Sequence, residues 1–322
     1  MVSLIQLTIP RLSEPQRLDL YLAQANLGLS RTQIKRLFGE KRITMNGQWV
    51  RVSFQVNGGE EIAIDKPDEK RIEFAAEAIA LDIVFEDDDL AVVNKPAGLV
   101  THPAPGNETG TLANALLHHF TQLSSGYAKG FPGLVHRLDK NTSGLMVVAK
   151  NDEIQRKLAQ QLMERTLRRE YWALIWGKFR EPEGTIDMAI GRSRADRRVM
   201  TSGSPKPREA ITHYAMIEEF ELFSLIRVHL ETGRTHQIRT HLKESGHPVF
   251  GDPEYGGREN RLTGIEARHR GFATRLLEMA QRQMLHAKRL EFVHPATGKS
   301  VDFAVDLPDD FKQVLELVRQ YR

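Results

Sequence analysis

Leu134–Lys150 reads LVHRLDKNTSGLMVVAK. Its apolar end, Leu145 to Ala149, is bounded by Gly144 and Lys150 and predicts a short buried strand. Ahead of it lies a dense polar knot of His136, Arg137, Asp139, Lys140, Asn141, Thr142 and Ser143. Asp139 has two readings here. It is a turn residue whose carboxylate caps nearby amides, the common use of Asp in loops. Or it is a catalytic acid, held between Arg137 and Lys140 at the mouth of a buried strand.

On the C-terminal side, EIQRKLAQQLMERT (Glu153 to Thr166) carries apolar residues at helical spacing. Arg168, Arg169 and Glu170 then lead into YWALIW, a strand from Tyr171 to Trp176 whose first residue reads as half-buried packing. Upstream, Leu81 to Asp89 and Leu90 to Val93 predict two strands. The loop NKPAGLVTHPAPGN follows, stiffened by its prolines and carrying Lys95 and His102. TLANALLHHF, Thr111 to Phe120, predicts a helix that ends in His118 and His119, read as helix-end polar residues.

A basic stretch, IGRSRADRRVM, precedes strands at Ala210 to Ile217 and Phe223 to Leu230. It reads as the tip of a hairpin arm, either solvated or touching phosphate. A second polar knot, ETGRTHQIRTH (Glu231 to His241), opens a helix at Ile238 to Ser245 and is followed by GHPVFGDPEYGG. His236, His241, His247 and Asp252 raise the question of a metal. The five-residue spacing of His236 and His241 puts them off one helical face and argues against it. Arg234 and Arg239 are cations able to hold a carboxylate ionised. The chain closes with a helix (Glu266 to Gln283), a hairpin around Ala296-Thr297-Gly298, and a helix from Asp309 to Tyr321.

Hairpins dominate and no regular βαβ alternation appears. That predicts an α+β domain on a largely antiparallel mixed sheet with flanking helices. No P-loop, G-x-G-x-x-G or G-x-S-x-G motif is present.

The N-terminal segment is built differently. Arg17 to Leu22 and Arg31 to Phe38 predict short helices, the second capped by Ser30 and followed by Gly39. Ile34, Leu37 and Phe38 share one face of it. RITMNGQWV predicts a hairpin turning at Asn46-Gly47, and Glu61 to Ile64 a strand. From Arg31 to Arg51 there are six basic residues, including Lys35, Arg36, Lys41 and Arg42, against Glu40 alone. One sign of charge on a helix and its hairpin favours an RNA-backbone surface over a merely solvated face. Charged KPDEKRIEFAAE then reads as a linker. The division expected is residues 1–65, a linker at 66–80, and a large domain at 81–322.

The chain has 322 residues, of which 40% are apolar and 27% charged, with a formal net charge of +3. This suits a globular protein with a real core. Without cysteine it has no disulfide, thiolate nucleophile or Cys-ligated zinc. Neither a secretory leader nor a membrane span is expected, which predicts a cytoplasmic protein.

HRLDKNTSGLMVVAK, REYWALIWG and LETGRTHQIRTHLKESGHPVFGDPEYGG, with NKPAGLVTHP before them and LHAKRLEFVHPATGK after, closely resemble the RluA-type pseudouridine synthases. Residues 16–65, with Gly59-Glu60-Glu61-Ile62 standing for a G-D-x-I strand, resemble the S4 RNA-binding domain. Together they are most similar to the large-subunit synthase D branch. The resemblance implies a pseudouridine synthase fold and isomerisation of uridines in large-subunit ribosomal RNA. That reaction changes no oxidation state and transfers no group, so no cofactor is expected; the histidine spacing argues against a metal, and a monomer is expected. The resemblance implies Asp139 as the catalytic aspartate, Tyr171 as the tyrosine stacking on the base and moving a proton, and Arg239 as the partner of Asp139. It implies Arg137 as the residue that fills the gap left by the target nucleotide. His136, Arg31, Lys35, Arg36, Lys41 and Arg42 are expected to contact RNA. Residue types leave three entries open to Asp139: attack at C6, attack at C1′, or removal of the 2′-proton. The rival readings are a non-catalytic RNA-binding assembly factor, a synthase acting on tRNA, and a nucleoside hydrolase using the same Asp139.

Overall fold

The computed structural model describes residues 3–25, 27, 29, 31–66, 75–103, 106–124 and 131–321. The chain forms two compact units, residues 1–73 and 74–322. Ser30, the expected helix cap, lies outside the described residues.

In the first unit, β1 (Ser3–Thr8), β2 (Gln16–Arg17), α1 (Leu18–Gln24), α2 (Arg31–Gly39), β3 (Ile43–Met45), β4 (Gln48–Trp49), β5 (Gln55–Val56) and β6 (Glu61–Lys66) follow in order. The main sheet runs β1-β6-β3-β4, and β2 pairs with β5. Ile34, Leu37 and Phe38 of α2 are buried against Leu18, Leu22, Ile43, Ile62 and Ile64. The β3–β4 turn has Asn46 at φ 47° and Gly47 at φ 76°. Two positive φ values match the right-handed twist of a tight hairpin, as Asn-Gly predicts. Strand β1 had no sequence signal: Leu4 is 59% exposed, so its apolar residues do not face one side only. Its six-residue pairing with β6 holds it.

The second unit contains β7 (Asp82–Glu86), β8 (Leu90–Lys95), α3 (Leu112–His119), β9 (Ser143–Ala149), α4 (Asp152–Met163), β10 (Arg168–Trp176), β11 (Glu183–Asp187), β12 (Gly191–Arg192) and β13 (Met200–Thr201). It continues with β14 (Ile211–Glu219), β15 (Phe223–Leu230), α5 (Gln237–Glu244), α6 (Ala267–Met279), β16 (Leu285–Val293), β17 (Ser300–Ala304) and α7 (Asp309–Gln320). Among the described residues a nine-stranded sheet runs β11-β14-β15-β10-β16-β9-β8-β7, with β17 on β16. Its pairings are antiparallel except where β16 meets β9 in parallel, His286 opposite Ser143 and Ala287 opposite Gly144. This is the α+β, largely antiparallel mixed sheet with flanking helices that hairpin-rich sequence predicts. Every residue of β9 is buried, as its unbroken apolar run required.

The two faces of β10 serve two cores. Tyr171, Ala173 and Ile175 join residues of α3 and α5, whereas Leu174 and Trp176 pack with α6 and α7. Thr111 caps α3 with a reciprocal Asn114 bond, and Asn151 caps α4 by accepting from Ile154.

Gly144 makes the β9–β16 junction possible. Its φ is 115°, and a Cβ there would lie 2.3 Å from the Ala287 carbonyl oxygen. Gly144→Ala is expected to cost on the order of 3 kcal/mol or more, since strained backbone and backbone overlap add. Urea unfolding measures it, and a wild-type midpoint would contradict this account.

Candidate active site

The Asp139 loop is pinned from several sides. Thr101 Oγ1 donates to the Leu138 carbonyl at 2.6 Å and accepts from the Leu138 amide at 3.3 Å. The Gly98 amide donates to the Lys140 carbonyl at 2.9 Å. Arg282 Nη1 donates to the Asn141 carbonyl at 3.1 Å. Lys95, fully buried, donates through Nζ to the carbonyls of Pro96 (2.8 Å), Leu99 (2.8 Å) and Lys140 (3.2 Å). Those three acceptors use all three N–H bonds of an ammonium. Burial pushes Lys95 down to about 7, and Asp139 opposes that fall. The proline-stiffened loop therefore serves to position Asp139 (the sequence supplied its rigidity but not its target).

Among the described residues no backbone amide donates to the Asp139 carboxylate, so the turn-capping reading fails. The carboxylate instead accepts from Arg239 Nη1 at 3.3 Å. Arg239 extends from the first turn of α5 and is itself buried. It binds Asp252 with two bonds, Nε to Oδ2 at 2.6 Å and Nη2 to Oδ1 at 2.8 Å. It reaches Glu254 at 2.7 Å and lies 4.7 Å over the Tyr255 ring. Burial works against its charge, but Asp252 outweighs burial, with Asp139 and Glu254 adding, and holds its pKa well above the usual range. Asp139 thus receives the weakest share of a guanidinium fixed chiefly by Asp252.

His236 completes the wall. It sits at the start of α5 with φ 53°, a left-handed conformation uncommon outside glycine. Gln237 organises this turn: its Oε1 accepts from Thr232 Oγ1 and the Arg234 amide, and its Nε2 donates to Ile211 and Thr212. His236 Nδ1 is 2.8 Å from the Tyr255 hydroxyl, which accepts the Met200 amide. His236 Nε2, the other ring nitrogen, lies 3.8 Å from Asp139 Oδ1. Burial lowers the pKa of His236, and Asp139 pulls it back up.

Tyr171 is buried rather than half-buried, and lies on the same side of the sheet as Leu138. Burial pushes its phenol pKa up; the facing Arg169 guanidinium opposes this and Asp139 adds to it. Arg137 is exposed at the mouth, with Nη1 3.3 Å from His102 Nε2. His136 Nε2 accepts the Val147 amide at 3.3 Å, which ties one ring nitrogen to β9. Arg234 donates to the Glu209 carbonyl at 3.1 Å and does not reach Asp139. Asp252 serves Arg239, while His241 Nε2 and His247 Nδ1 bond the Met188 and Trp176 carbonyls.

Sequence reasoning missed Glu254, Tyr255 and the true role of Asp252. Their signal was the GDPEYGG turn, two acids held by glycines and a proline shortly after the helix that carries Arg239.

The neutral rings give a pH prediction. Burial pushes His136 down to about 3, with Arg169 adding to the fall. Burial likewise pushes His286 down to about 3, with Arg282 adding. Below the unfolded value of about 6.5 the unfolded chain binds more protons than the folded one. Stability is therefore full above about 6.5 and falls as pH drops toward 3, by up to ~1.4 kcal/mol per pH unit for each ring. Urea unfolding at pH 7 and pH 5 should show this loss, and His286→Asn should shrink it. Equal free energies at the two pH values would contradict the assignment.

In the N-terminal unit, Lys35, Arg36 and Lys41 are exposed, and the Lys41 ammonium lies 5.5 Å over the Trp49 ring. Arg42 is partly withdrawn, bound to Asp65 at 2.9 Å and Glu40 at 3.3 Å. Arg31 opens α2, but its side chain lies outside the described residues. Among the described residues no helix is long and apolar enough to cross a membrane.

Residues 89–244 match the RNA pseudouridylate synthase family, and residues 16–62 the S4 domain. The chain is 40% identical over 317 residues to the uncharacterized RNA pseudouridine synthase YlyB of Bacillus subtilis, covering 98% of each chain. It is 40% identical over 306 residues to the ribosomal large subunit pseudouridine synthase D of Vibrio parahaemolyticus, covering 95% of this chain and 91% of that one. The solved structure of human RNA pseudouridylate synthase domain containing 1 superposes with a TM-score of 0.53 at 25% identity, covering 76% of this chain and 97% of that one. The family match spans the strands and loops that bring Asp139, Tyr171 and Arg239 together, and with identity running nearly end to end, this chain belongs to the RNA pseudouridylate synthase family.

Proposed function

We propose that the protein isomerises uridines of large-subunit ribosomal RNA to pseudouridine, with Asp139 as the reacting carboxylate. The observation that carries this reading is the Arg239 guanidinium at 3.3 Å from Asp139. An acid in a partly dry site tends to take up a proton unless a cation stands beside it. A guanidinium does not titrate away at any working pH.

The isomerisation breaks the C1′–N1 bond, turns the uracil, and joins C1′ to C5. The C5 proton leaves and N1 gains one, so no electron or group is transferred overall. Asp139 starts the reaction. Tyr171, set over the base, stacks on it and takes part in removing the C5 proton. The base must first leave its stack, at a cost of a few kcal/mol. Stacking on Tyr171 and insertion of Arg137 into the vacated position offset that cost. Arg31, Lys35, Arg36 and Lys41 of the S4 unit contact the RNA backbone.

The synthase D name of the Vibrio relative supports large-subunit RNA as the substrate and, with it, a cytoplasmic location. Among the described residues Asp139 meets Arg239 of the same chain, and the state proposed is a monomer. The test is to map pseudouridines in ribosomal RNA from cells with and without the protein, and on transcripts treated with it. Loss of one or more large-subunit sites, restored by the purified protein, is expected. Unchanged ribosomal RNA with sites lost from tRNA would overturn the substrate, and release of free uracil would mark a hydrolase.

A further inference from the structure

A concavity opens where β10 begins, shortly before Tyr171. It has a volume of about 250 Å³ and is walled by Arg165, Arg168, Arg169, His213, His229 and Glu231 among others. We infer that this cleft is a phosphodiester site, which holds the RNA backbone next to the extruded nucleotide. The inference rests on the reading that this chain acts on RNA.

Charge is the first argument. Glu231 is already engaged twice, by Arg165 and by His213 Nε2 at 2.7 Å. Glu170, beneath the rim, faces His229 at 3.4 Å. Arg168 and Arg169 have no carboxylate partner among the described residues. Arg168 is exposed, and Arg169 Nε is buried without a hydrogen-bond partner. Arg169 also hydrogen-bonds the Tyr171 side chain, but no carboxylate among the described residues neutralises either guanidinium, and two such cations on one cleft select an anion whose oxygens their planar forks match.

Position is the second. Arg169 and Tyr171 alternate onto the same face of β10, about 7 Å apart along the strand. Arg169 also closes against the second polar knot: a Cβ on Gly233 would stand 3.4 Å from its Nη1 and 3.5 Å from its Nη2. It therefore links the cleft to the tyrosine over the base. An extruded nucleotide leaves its flanking phosphates outside the pocket, about one residue pair away from the ring. Size is the third: about 250 Å³ is below the roughly 300–1,000 Å³ of sites that enclose a whole small molecule. A phosphate with part of its ribose fits that space. Strands β10, β14 and β15 form the walls, so the cleft is fixed before RNA arrives.

The test uses Arg168→Gln, Arg168→Glu and Arg165→Gln, the last of which leaves Glu231 facing the cleft with one cation fewer. Binding of large-subunit RNA transcript is titrated against salt in the full chain carrying Asp139→Asn, so that no turnover intrudes. Each Arg168 variant should bind roughly tenfold more weakly, and the slope of log affinity against log salt should shrink by about 0.7–0.9, one phosphate's worth. In the chain with Asp139 intact the loss should fall on KM. Thermal melting of the exposed Arg168 variants should match the parent. Affinity and salt slope unchanged in all three variants would overturn the proposal, as would a loss confined to kcat. Should the parent chain modify no ribosomal transcript, the functional reading fails on its own, since binding is read without catalysis.

Discussion

Asp139→Asn is expected to remove pseudouridine formation while leaving RNA binding and folding nearly intact. Asparagine keeps the size and one oxygen of the side chain but can neither attack carbon nor take a proton. Removing the reacting group of a catalytic unit costs about 10⁴-fold or more in rate. Folding survives because Arg239 keeps Asp252 and Glu254, its shorter partners at 2.6 to 2.8 Å, when the 3.3 Å contact to Asp139 is weakened. The measurement is single-turnover modification of ribosomal transcript, alongside equilibrium binding. A rate within tenfold of the parent would take Asp139 out of the chemistry. A parent chain that binds the RNA but modifies none of it would instead support the assembly-factor reading.

Arg239→Leu should damage stability as much as activity. Its side chain is 4% exposed and that of Asp252 is 0% exposed, so the substitution leaves a buried carboxylate without its cation. Breaking such a pair costs about 3–5 kcal/mol, which for a unit of this size lowers the melting temperature on the order of 10 °C. The double variant Arg239→Leu with Asp252→Leu removes both charges and should recover much of that stability, since apolar replacement of a buried pair is often neutral or better. It should recover no activity, because Asp139 then faces no guanidinium. Arg239→Lys separates the roles further: a lysine supplies charge but not the two-pronged grip on Asp252. Differential scanning calorimetry with modification assays reads all three. A single variant as stable as the parent, or a double variant with restored turnover, would refute the arrangement.

Much of this site was legible in sequence, for identifiable reasons. The strand after Asp139 announced itself because it is buried on both faces and therefore continuously apolar. Asn46-Gly47 announced a hairpin because few other pairs accept two positive φ values. Arg239 was legible as a fixed cation near an acid. What stayed hidden depends on distant partners. Asp252 drew attention only as a metal ligand, since nothing local says that an arginine thirteen positions earlier will take both of its oxygens. His136 reads in sequence only as one member of a polar knot, and only the fold shows the Val147 amide donating to it. Lys95 similarly looks like a loop cation until the carbonyls of three residues close around it. Tyr171 was expected to open its strand, but β10 begins at Arg168, and the full burial of Tyr171 comes from α3 and α5, which pattern alone does not bring there.

The parallel junction of β9 and β16 carries a consequence for biosynthesis. Strand β10 follows Asp139 closely in the chain, yet it does not touch β9; β16 lies between them. His286 is separated from Ser143 by more than a hundred residues. The halves bearing Asp139 and Tyr171 are therefore joined into one sheet only after Leu285–Val293 has been translated and docked. Such long loop closure is slow, and a nascent chain already containing every reacting group should remain inert on the ribosome that makes it. Truncations ending between residues 245 and 284 would retain Asp139, Tyr171 and Arg239 and still fail to assemble the site.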